Sequence, residues 1–534
     1  MTSEGFTVLV TDKVSESGLH ALHSDDRFEV VRIDDSSEAA FRDVLRRSHG
    51  LIVRSATKVR SDLLAEAPAL RVIGRAGVGV DNIDLAAATE RGIAVLNAPA
   101  GNTVSAVELT LALILALARR VSEADASMRE GAWQRSRFKG VELRGRTLGL
   151  VGAGRIGGEV ARRCQAFGMR VVAFDPYLTS ERAEDLGVER AEDLDAVLER
   201  ADVLSLHVPL TDATRGMIDA RALERMKKNA FLVNVARGGI VDESALAEAL
   251  RSGRLAGAAL DVFEREPLEE ESALRAAPNI VLTPHLGAST SEAQERVATE
   301  VSEGVRAALA EGDLGRALNA PAITGEKMKA LAPLFHLGQT LGHLACALAP
   351  GAVHDVEVRY AGDADDALEP LTAFVLVGLL RNVLGSEQVN VVSAGHLASQ
   401  RDMGLARTRL SRHANYTEYV EIVLGAERGN LRVAGALLGD AHPRVVRIAD
   451  YHVDVVPEGT LVVLKNEDVP GVIGRVGTLL GDRGINIAGY HQARLSKGGA
   501  ALAAISADGP VDEDIRRALL ELPEVSSAVV VRLG

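Results

Sequence analysis

Three polar residues each follow a stretch that reads as a buried parallel strand. Arg237 stands in Asn234-Val-Ala-Arg-Gly-Gly239, after a strand over 231–235. Glu266 stands in Asp261-Val-Phe-Glu-Arg-Glu-Pro267, after a strand over 258–262. His285 stands in Pro284-His-Leu-Gly-Ala-Ser-Thr290, after a strand over 280–283. In open α/β sheets ligands sit beyond the carboxyl ends of the strands, so the three converge on one crevice. They supply a cation, an acid and a titratable base. That set suits hydride chemistry on a hydroxy acid. Histidine takes the hydroxyl proton as hydride leaves carbon, and returns it in reverse. A carboxylate at the other ring nitrogen fixes the tautomer and favours the imidazolium. A guanidinium holds a substrate carboxylate in a two-pronged pair and polarises the forming carbonyl.

A second constellation is built for phosphates. Gly152-Ala-Gly154-Arg155-Ile156-Gly157 follows a strand over 147–151 and opens a helix reaching to about Phe167. The first glycine allows a tight turn, the second lets backbone approach a pyrophosphate, and the third lets helix and strand pack closely. The helix N-terminus adds free N–H groups and positive dipole. Gly168 stops the helix, and Asp175 ends the next strand. A carboxylate there accepts from both ribose hydroxyls and repels a 2′-phosphate, which points to NAD. Two further arginines, Arg54 and Arg75, end strands of an earlier sheet and suggest a second anionic group on the substrate, a phosphate by preference. Asn102, at the head of a long helix, is expected to add a hydrogen bond there.

These groups need elements to hold them. Short apolar runs at 7–10, 28–31, 51–53, 71–74 and 93–96, separated by helical patterns, imply a parallel sheet covered on both faces. A helix over about 103–121 is apolar nearly all round, and is expected to be buried between domains or subunits. A second βα series runs from 147 to about 285, with six strands, and a further helix spans about 291–311. From about 319 the pattern becomes a mixture of helices and strands. Residues 459–534 read as β-α-β-β-α-β, a ferredoxin-like unit. The expected architecture is α/β: two doubly wound parallel-sheet domains, Rossmann-like and flavodoxin-like, then an α+β domain and the ferredoxin-like unit.

Composition narrows the function classes. The chain has 534 residues, 47% hydrophobic, with 60 Lys+Arg against 74 Asp+Glu and a net charge of −14. That field disfavours nucleic acid and anionic membranes as partners. Two cysteines, Cys164 and Cys346, allow neither a disulfide framework nor a structural zinc cluster, and no metal is expected. No secretory signal is visible, so a cytoplasmic location is expected. The charge-free stretch 331–354 contains Gly338-Gln-Thr-Leu-Gly342, but also prolines and histidines. It is read as a soluble helix packed closely at its glycines.

Arg54-Ser55-Ala-Thr-Lys58, Gly74-Arg-Ala-Gly-Val-Gly-Val-Asp-Asn-Ile-Asp84, Asn234-Val-Ala-Arg-Gly-Gly-Ile-Val-Asp242 and Pro284-His-Leu-Gly-Ala-Ser-Thr290 together resemble the D-isomer-specific 2-hydroxyacid dehydrogenases. The resemblance covers about residues 5–318 and continues through the tail as the long form, with an intervening domain and an ACT regulatory domain. It implies a split substrate domain at 1–98 plus 289–318, an NAD domain at 99–288, an intervening domain at 319–452 and an ACT domain at 453–534. It implies Arg237, Glu266 and His285 as catalytic groups. The implied NAD contacts are Gly152, Gly154, Arg155, Ile156, Gly157, Asp175, Val208, Val235, Ala236, Arg237, Asp261, His285, Gly287 and Ala288. The implied substrate contacts are Arg54, Ser55, Arg75, Asn102, Arg237 and His285, with Arg135 reaching a neighbouring subunit's site. The implied substrate is 3-phosphoglycerate, the assembly a homo-oligomer, a tetramer by resemblance. A related 2-hydroxyacid reductase and a non-catalytic dinucleotide-sensing scaffold are the alternatives.

The tail motif, Asn466-Glu-Asp468-Val-Pro-Gly471 followed by Asn486, resembles the ACT loops that bind a small amino acid, and the resemblance implies L-serine. Asn466, Asp468 and Asn486 are the expected effector contacts. The loops before and after the first tail helix are expected to border one end of the helix layer.

Overall fold

The computed structural model describes residues 5–385, 389–439 and 442–533. The first sheet contains β1 (Phe6–Val10), β2 (Phe28–Arg32), β3 (Gly50–Val53), β4 (Val72–Arg75) and β5 (Ala94–Asn97), in the order β2-β1-β3-β4-β5. All pairs are parallel. The central strands are buried on both faces, as their unbroken apolar runs require. The order reverses beside β1, which opens a crevice beyond the ends of β1 and β3.

Helix α1 (Thr103–Arg119) leads into the second sheet. Ser105, Val107, Ile114 and Leu117 are buried on it, while Val104 and Leu115 are exposed, so the expected burial all round does not hold within one chain. The second sheet has β6 (Thr147–Val151), α2 (Arg155–Ala166), β7 (Arg170–Phe174), β8 (Glu189–Arg190), β9 (Val203–Leu206), β10 (Phe231–Asn234), β11 (Gly257–Leu260) and β12 (Ile280–Leu282). Its order is β12-β11-β10-β9-β6-β7-β8. The seventh strand, β8, escaped sequence reading because it is two exposed charged residues with no apolar run.

Helix α3 (Ser291–Glu311) then returns to the first sheet. Val297, Val301 and Val305 join the core formed by Val8, Val72 and Leu96. A Cβ at Gly74 would lie 2.5 Å from the Val301 side chain, so only glycine lets α3 lie this close to β4.

The third unit places α4 (Ala332–Leu348) and α5 (Leu368–Leu384) against a mixed sheet of β13 (Val353–Ala361), β14 (Gly404–Arg409), β15 (Glu418–Ala426), β16 (Gly429–Leu438), β17 (His442–Ile448) and β18 (Tyr451–Val455). The expected boundary at 452/453 therefore falls inside β18, and the third sheet keeps that strand. The fourth unit has β19 (Gly459–Glu467), α6 (Val472–Asp482), β20 (Asn486–Arg494), β21 (Ala500–Asp508), α7 (Glu513–Leu520) and β22 (Val525–Leu533), ordered β20-β21-β19-β22. One face carries α6 and α7 through Val476, Leu480, Ile515 and Leu519. The other face, through Leu461, Val463, Leu502 and Val531, shares a core with Leu344 of α4. No helix among the described residues is long and apolar enough to cross a membrane.

Candidate active site

The turn after β10 carries Arg237, and Asn234 shapes it. Buried Asn234 accepts the Ala236 N–H at its Oδ1 (3.0 Å) and donates through Nδ2 to the Arg237 carbonyl (2.9 Å). The Arg237 guanidinium donates through Nη1 to the Ala236 carbonyl (2.7 Å) and through Nε to Asp81 (3.2 Å).

The turn after β12 carries His285 at φ +56°, a left-handed conformation that a side chain adopts only when its surroundings impose it. Asp261 imposes it. Its carbonyl accepts the His285 N–H (2.9 Å). Its carboxylate accepts the Thr283 hydroxyl (2.6 Å) and the N–H groups of Leu286 (2.7 Å) and Gly287 (2.8 Å). Asp261 is fully buried, and burial raises its carboxyl above the ordinary value against those three bonds. Its carboxylate supports the loop that carries His285, so Asp261, expected among the cofactor contacts, also builds the turn after β12.

His285 Nδ1 lies 2.7 Å from a Glu266 carboxylate oxygen, whose other oxygen accepts the Phe263 N–H (3.0 Å). Burial pushes the Glu266 carboxyl up. The His285 and Phe263 hydrogen bonds and the charges of His285 and Arg237 outweigh it and hold the carboxyl below its ordinary value. Glu266 is thus the ionised partner that orients the ring and leaves Nε2 for the cleft.

The first sheet supplies the opposite wall. Arg54 follows β3 and Arg75 ends β4. Asp12, after β1, accepts the N–H groups of Arg54 (2.9 Å) and Thr57 (3.0 Å) and the Thr57 hydroxyl (2.6 Å). Burial, then the charges of Arg237 and Arg54, push Arg75 down to about 10, with Asp81 and Asp12 opposing. Its Nε is buried without a partner. A guanidinium in that setting favours an anion beside it. Asn102 precedes α1 without capping it, and its Oδ1 is likewise buried without a partner among the described residues. Ser55 is exposed in the Arg54 loop. Arg135 is exposed on a short turn, Arg135–Phe138.

The glycine loop is shaped for a dinucleotide. Gly152 has φ +91°, and a Cβ at Gly157 would lie 2.0 Å from the Gly152 carbonyl oxygen. A Cβ at Gly154 would meet nothing within 4 Å, so the backbone there is open to a ligand. Arg155 and Ile156 form the first turn of α2, which no side chain caps. Asp175, just after β7, accepts the N–H groups of Ala153 (2.9 Å) and Tyr177 (2.8 Å), one at each oxygen, and keeps lone pairs for ribose hydroxyls. Val208 lies against Gly152, and Val235 against Gly287, with Ala236 and Ala288 partly exposed alongside. His207, partly buried behind the glycine loop, is pushed down to about 4 by desolvation. Sequence reasoning gave no role to Asn234, Asp12, Asn82 or His207. Asn234 alone had a local signal, an Asn opening a turn.

Within one chain the expected effector contacts do not come together. Asn486 donates to Asp508 (2.6 Å), its register partner across β20 and β21. Asn466 pairs in register with Ala501, and Asp468 bonds Arg494 (2.9 Å) and the Gly498 N–H (3.0 Å). The seven residue steps from Ala501 to Asp508 put about 23 Å between the two ends. The loops border opposite ends of α6, because an 11-residue helix lies between them.

The two sheets and the cleft between them define a class. The D-isomer specific 2-hydroxyacid dehydrogenase NAD-binding domain matches residues 111–287. The chain belongs to the D-isomer specific 2-hydroxyacid dehydrogenases and is an NAD-dependent oxidoreductase. The intervening domain of D-3-phosphoglycerate dehydrogenase matches 330–449, and the ACT domain matches 460–524. End to end, the chain is similar to D-3-phosphoglycerate dehydrogenase of Methanocaldococcus jannaschii, 40% identical over 98% of this chain and 99% of that one. That of Bacillus subtilis is 40% identical over 99% and 100%. Among solved structures, the TT0316 protein of Thermus thermophilus is 41% identical with a TM-score of 0.53, covering 57% of this chain and 97% of that one. D-lactate dehydrogenase of Aquifex aeolicus, complexed with NAD and lactic acid, is 31% identical with a TM-score of 0.52, covering 58% and 98%.

Proposed function

We propose that the enzyme oxidises 3-phosphoglycerate to 3-phosphooxypyruvate, the first step of L-serine formation. The observation that carries this reading is the placing of Arg54 and Arg75 at strand ends of the first sheet and of Arg237, bonded across to Asp81, on the second sheet that also holds the His285–Glu266 pair. Such a cleft suits a substrate with two anionic ends. Its similarity to D-3-phosphoglycerate dehydrogenases over nearly all of its length supports the same substrate.

In this reading Arg237 holds the substrate carboxylate and draws electron density from C2. Arg54 and Arg75 hold the phosphate, with Ser55 and Asn102 as polar neighbours. His285 Nε2 takes the C2 hydroxyl proton while the C2–H bond breaks, and Glu266 stabilises the resulting imidazolium. NAD, when bound, supplies the hydride acceptor. Gly154, Arg155 and the free N–H groups of α2 face its pyrophosphate, and Asp175 its ribose.

The reading includes a cytoplasmic homotetramer with L-serine as feedback inhibitor. Exposed Val104, Leu115, Val121, Met128 and Trp133 on and after α1 support an interface between copies, which brings Arg135 to a neighbour's cleft. The test is NADH formation with 3-phosphoglycerate beside glycerate and lactate. The phosphorylated acid is expected to be turned over with the highest kcat/KM. Equal rates on glycerate would overturn the assignment.

A further inference from the structure

The loop from Arg54 to Thr57 has no regular structure, yet it is held on both backbone polarities. Asn82, 5% exposed, gives one amide hydrogen to the Arg54 carbonyl (2.8 Å) and the other to the Thr57 carbonyl (2.7 Å). Asp12 takes the N–H groups of the same two residues. The carbonyl of Asn82 accepts the Val59 N–H (2.8 Å), and Val59 bridges Ile83. Both amide hydrogens are spent, so no other side chain of similar size reproduces the pattern: Asp lacks the donors and Leu has none. The residue before it, Asp81, reaches Arg237 of the other sheet. One dipeptide therefore sets the Arg54 loop in its own domain and meets the arginine across the cleft.

We infer that Asn82 is a specificity-determining positioning residue. By fixing the Arg54–Thr57 loop it creates the phosphate-binding pole that favours phosphorylated over unphosphorylated 2-hydroxy acids. Asn82 itself touches neither substrate nor cofactor. Its effect passes through the placement of Arg54 against Arg75, whose buried, unpartnered Nε gains most from an anion held at one fixed distance. The inference rests on the substrate class proposed above.

The experiment uses the full-length enzyme with Asn82→Ala and the milder Asn82→Ser, which keeps one donor. Steady-state rates on 3-phosphoglycerate and glycerate are measured, with calorimetric titration of inorganic phosphate. NADH affinity, read by fluorescence, reports the integrity of the other domain. Removing both donors leaves the Arg54 and Thr57 carbonyls without their side-chain donor, and the loop is then held by Asp12 through its N–H groups and the Thr57 hydroxyl, which loosens it. The preference in kcat/KM for 3-phosphoglycerate over glycerate is expected to fall about thirtyfold, mainly through KM. Phosphate affinity falls in parallel, Asn82→Ser lies between, and NADH affinity is unchanged. Equal losses on both acids, or an unchanged preference, in a variant that binds NADH normally would overturn the inference. If the wild-type enzyme does not oxidise 3-phosphoglycerate but binds phosphate in an Asn82-dependent way, the proposed substrate is wrong and the role of Asn82 stands. If it binds no phosphate and shows no preference, both fall.

Discussion

The Nε of Arg237 lies 3.2 Å from a carboxylate oxygen of Asp81, and the pair joins the two sheets across the cleft. Asp81 is 65% exposed and Arg237 27%, so the contact contributes about 1 kcal/mol or less. That makes it a weak latch, which a substrate carboxylate can outcompete. Asp81→Asn is expected to open the unliganded enzyme, seen as a larger radius of gyration by X-ray scattering, and to change KM by less than about tenfold. A hundredfold loss of kcat would instead place Asp81 in the chemistry.

His285→Ala is expected to lower kcat by about 10²–10⁴-fold, the usual contribution of a general base. Glu266→Gln keeps the hydrogen bond but removes the charge that stabilises the imidazolium. The acid limb of the rate profile for alcohol oxidation should then move to lower pH. Because the Glu266 carboxyl lies below its ordinary value, it remains ionised through that limb and does not itself produce it. An unmoved limb in Glu266→Gln would separate the pair functionally.

Arg54→Ala and Arg75→Ala are expected to depress 3-phosphoglycerate oxidation much more than glycerate oxidation, by about a hundredfold in relative kcat/KM, as loss of charged hydrogen bonds predicts. Parallel losses on both acids would remove these arginines from phosphate recognition.

Asp175 stands where a 2′-phosphate would meet its carboxylate. The enzyme is expected to prefer NAD to NADP by about a hundredfold or more, and Asp175→Ala to narrow that gap. Equal use of both cofactors by the wild-type enzyme would show that Asp175 does not select.

His207 offers a stability measurement. Its folded value, about 4, lies below the ordinary 6.5, so its contribution is complete above 6.5 and is lost as pH falls toward 4. Denaturant unfolding should show stability falling in that window with a slope approaching ~1.4 kcal/mol per pH unit from this group. His207→Asn should flatten the window. An unchanged slope would mean that another group governs acid unfolding.

Much of this protein could be read directly from its residues. Continuous apolar runs announced parallel strands buried on both faces, and Gly152, Gly154, Gly157 and Asp175 announced a dinucleotide loop, because backbone sterics and charge act locally. Arg237, Glu266 and His285 could be read as a group because strand ends fall on one side of a parallel sheet. Other features arise only when distant segments pack. Strand β8 has no apolar run and exists because β7 offers it an edge. Helix α3 carries an amphipathic pattern that fits any sheet, and only packing against Val8, Val72 and Leu96 returns it to the first one. The loops flanking α6 are close in sequence, yet the length of the helix sends Asn486 and Asp468 to opposite ends of their sheet. Asp261 can be read as a strand-end acid, but only the folded turn shows that its carboxylate also holds the Thr283, Leu286 and Gly287 segment in place. Asn82 and Asp12 lie 70 residues apart, and hydrogen bonds too short-ranged and directional to leave a sequence pattern bring them to one loop.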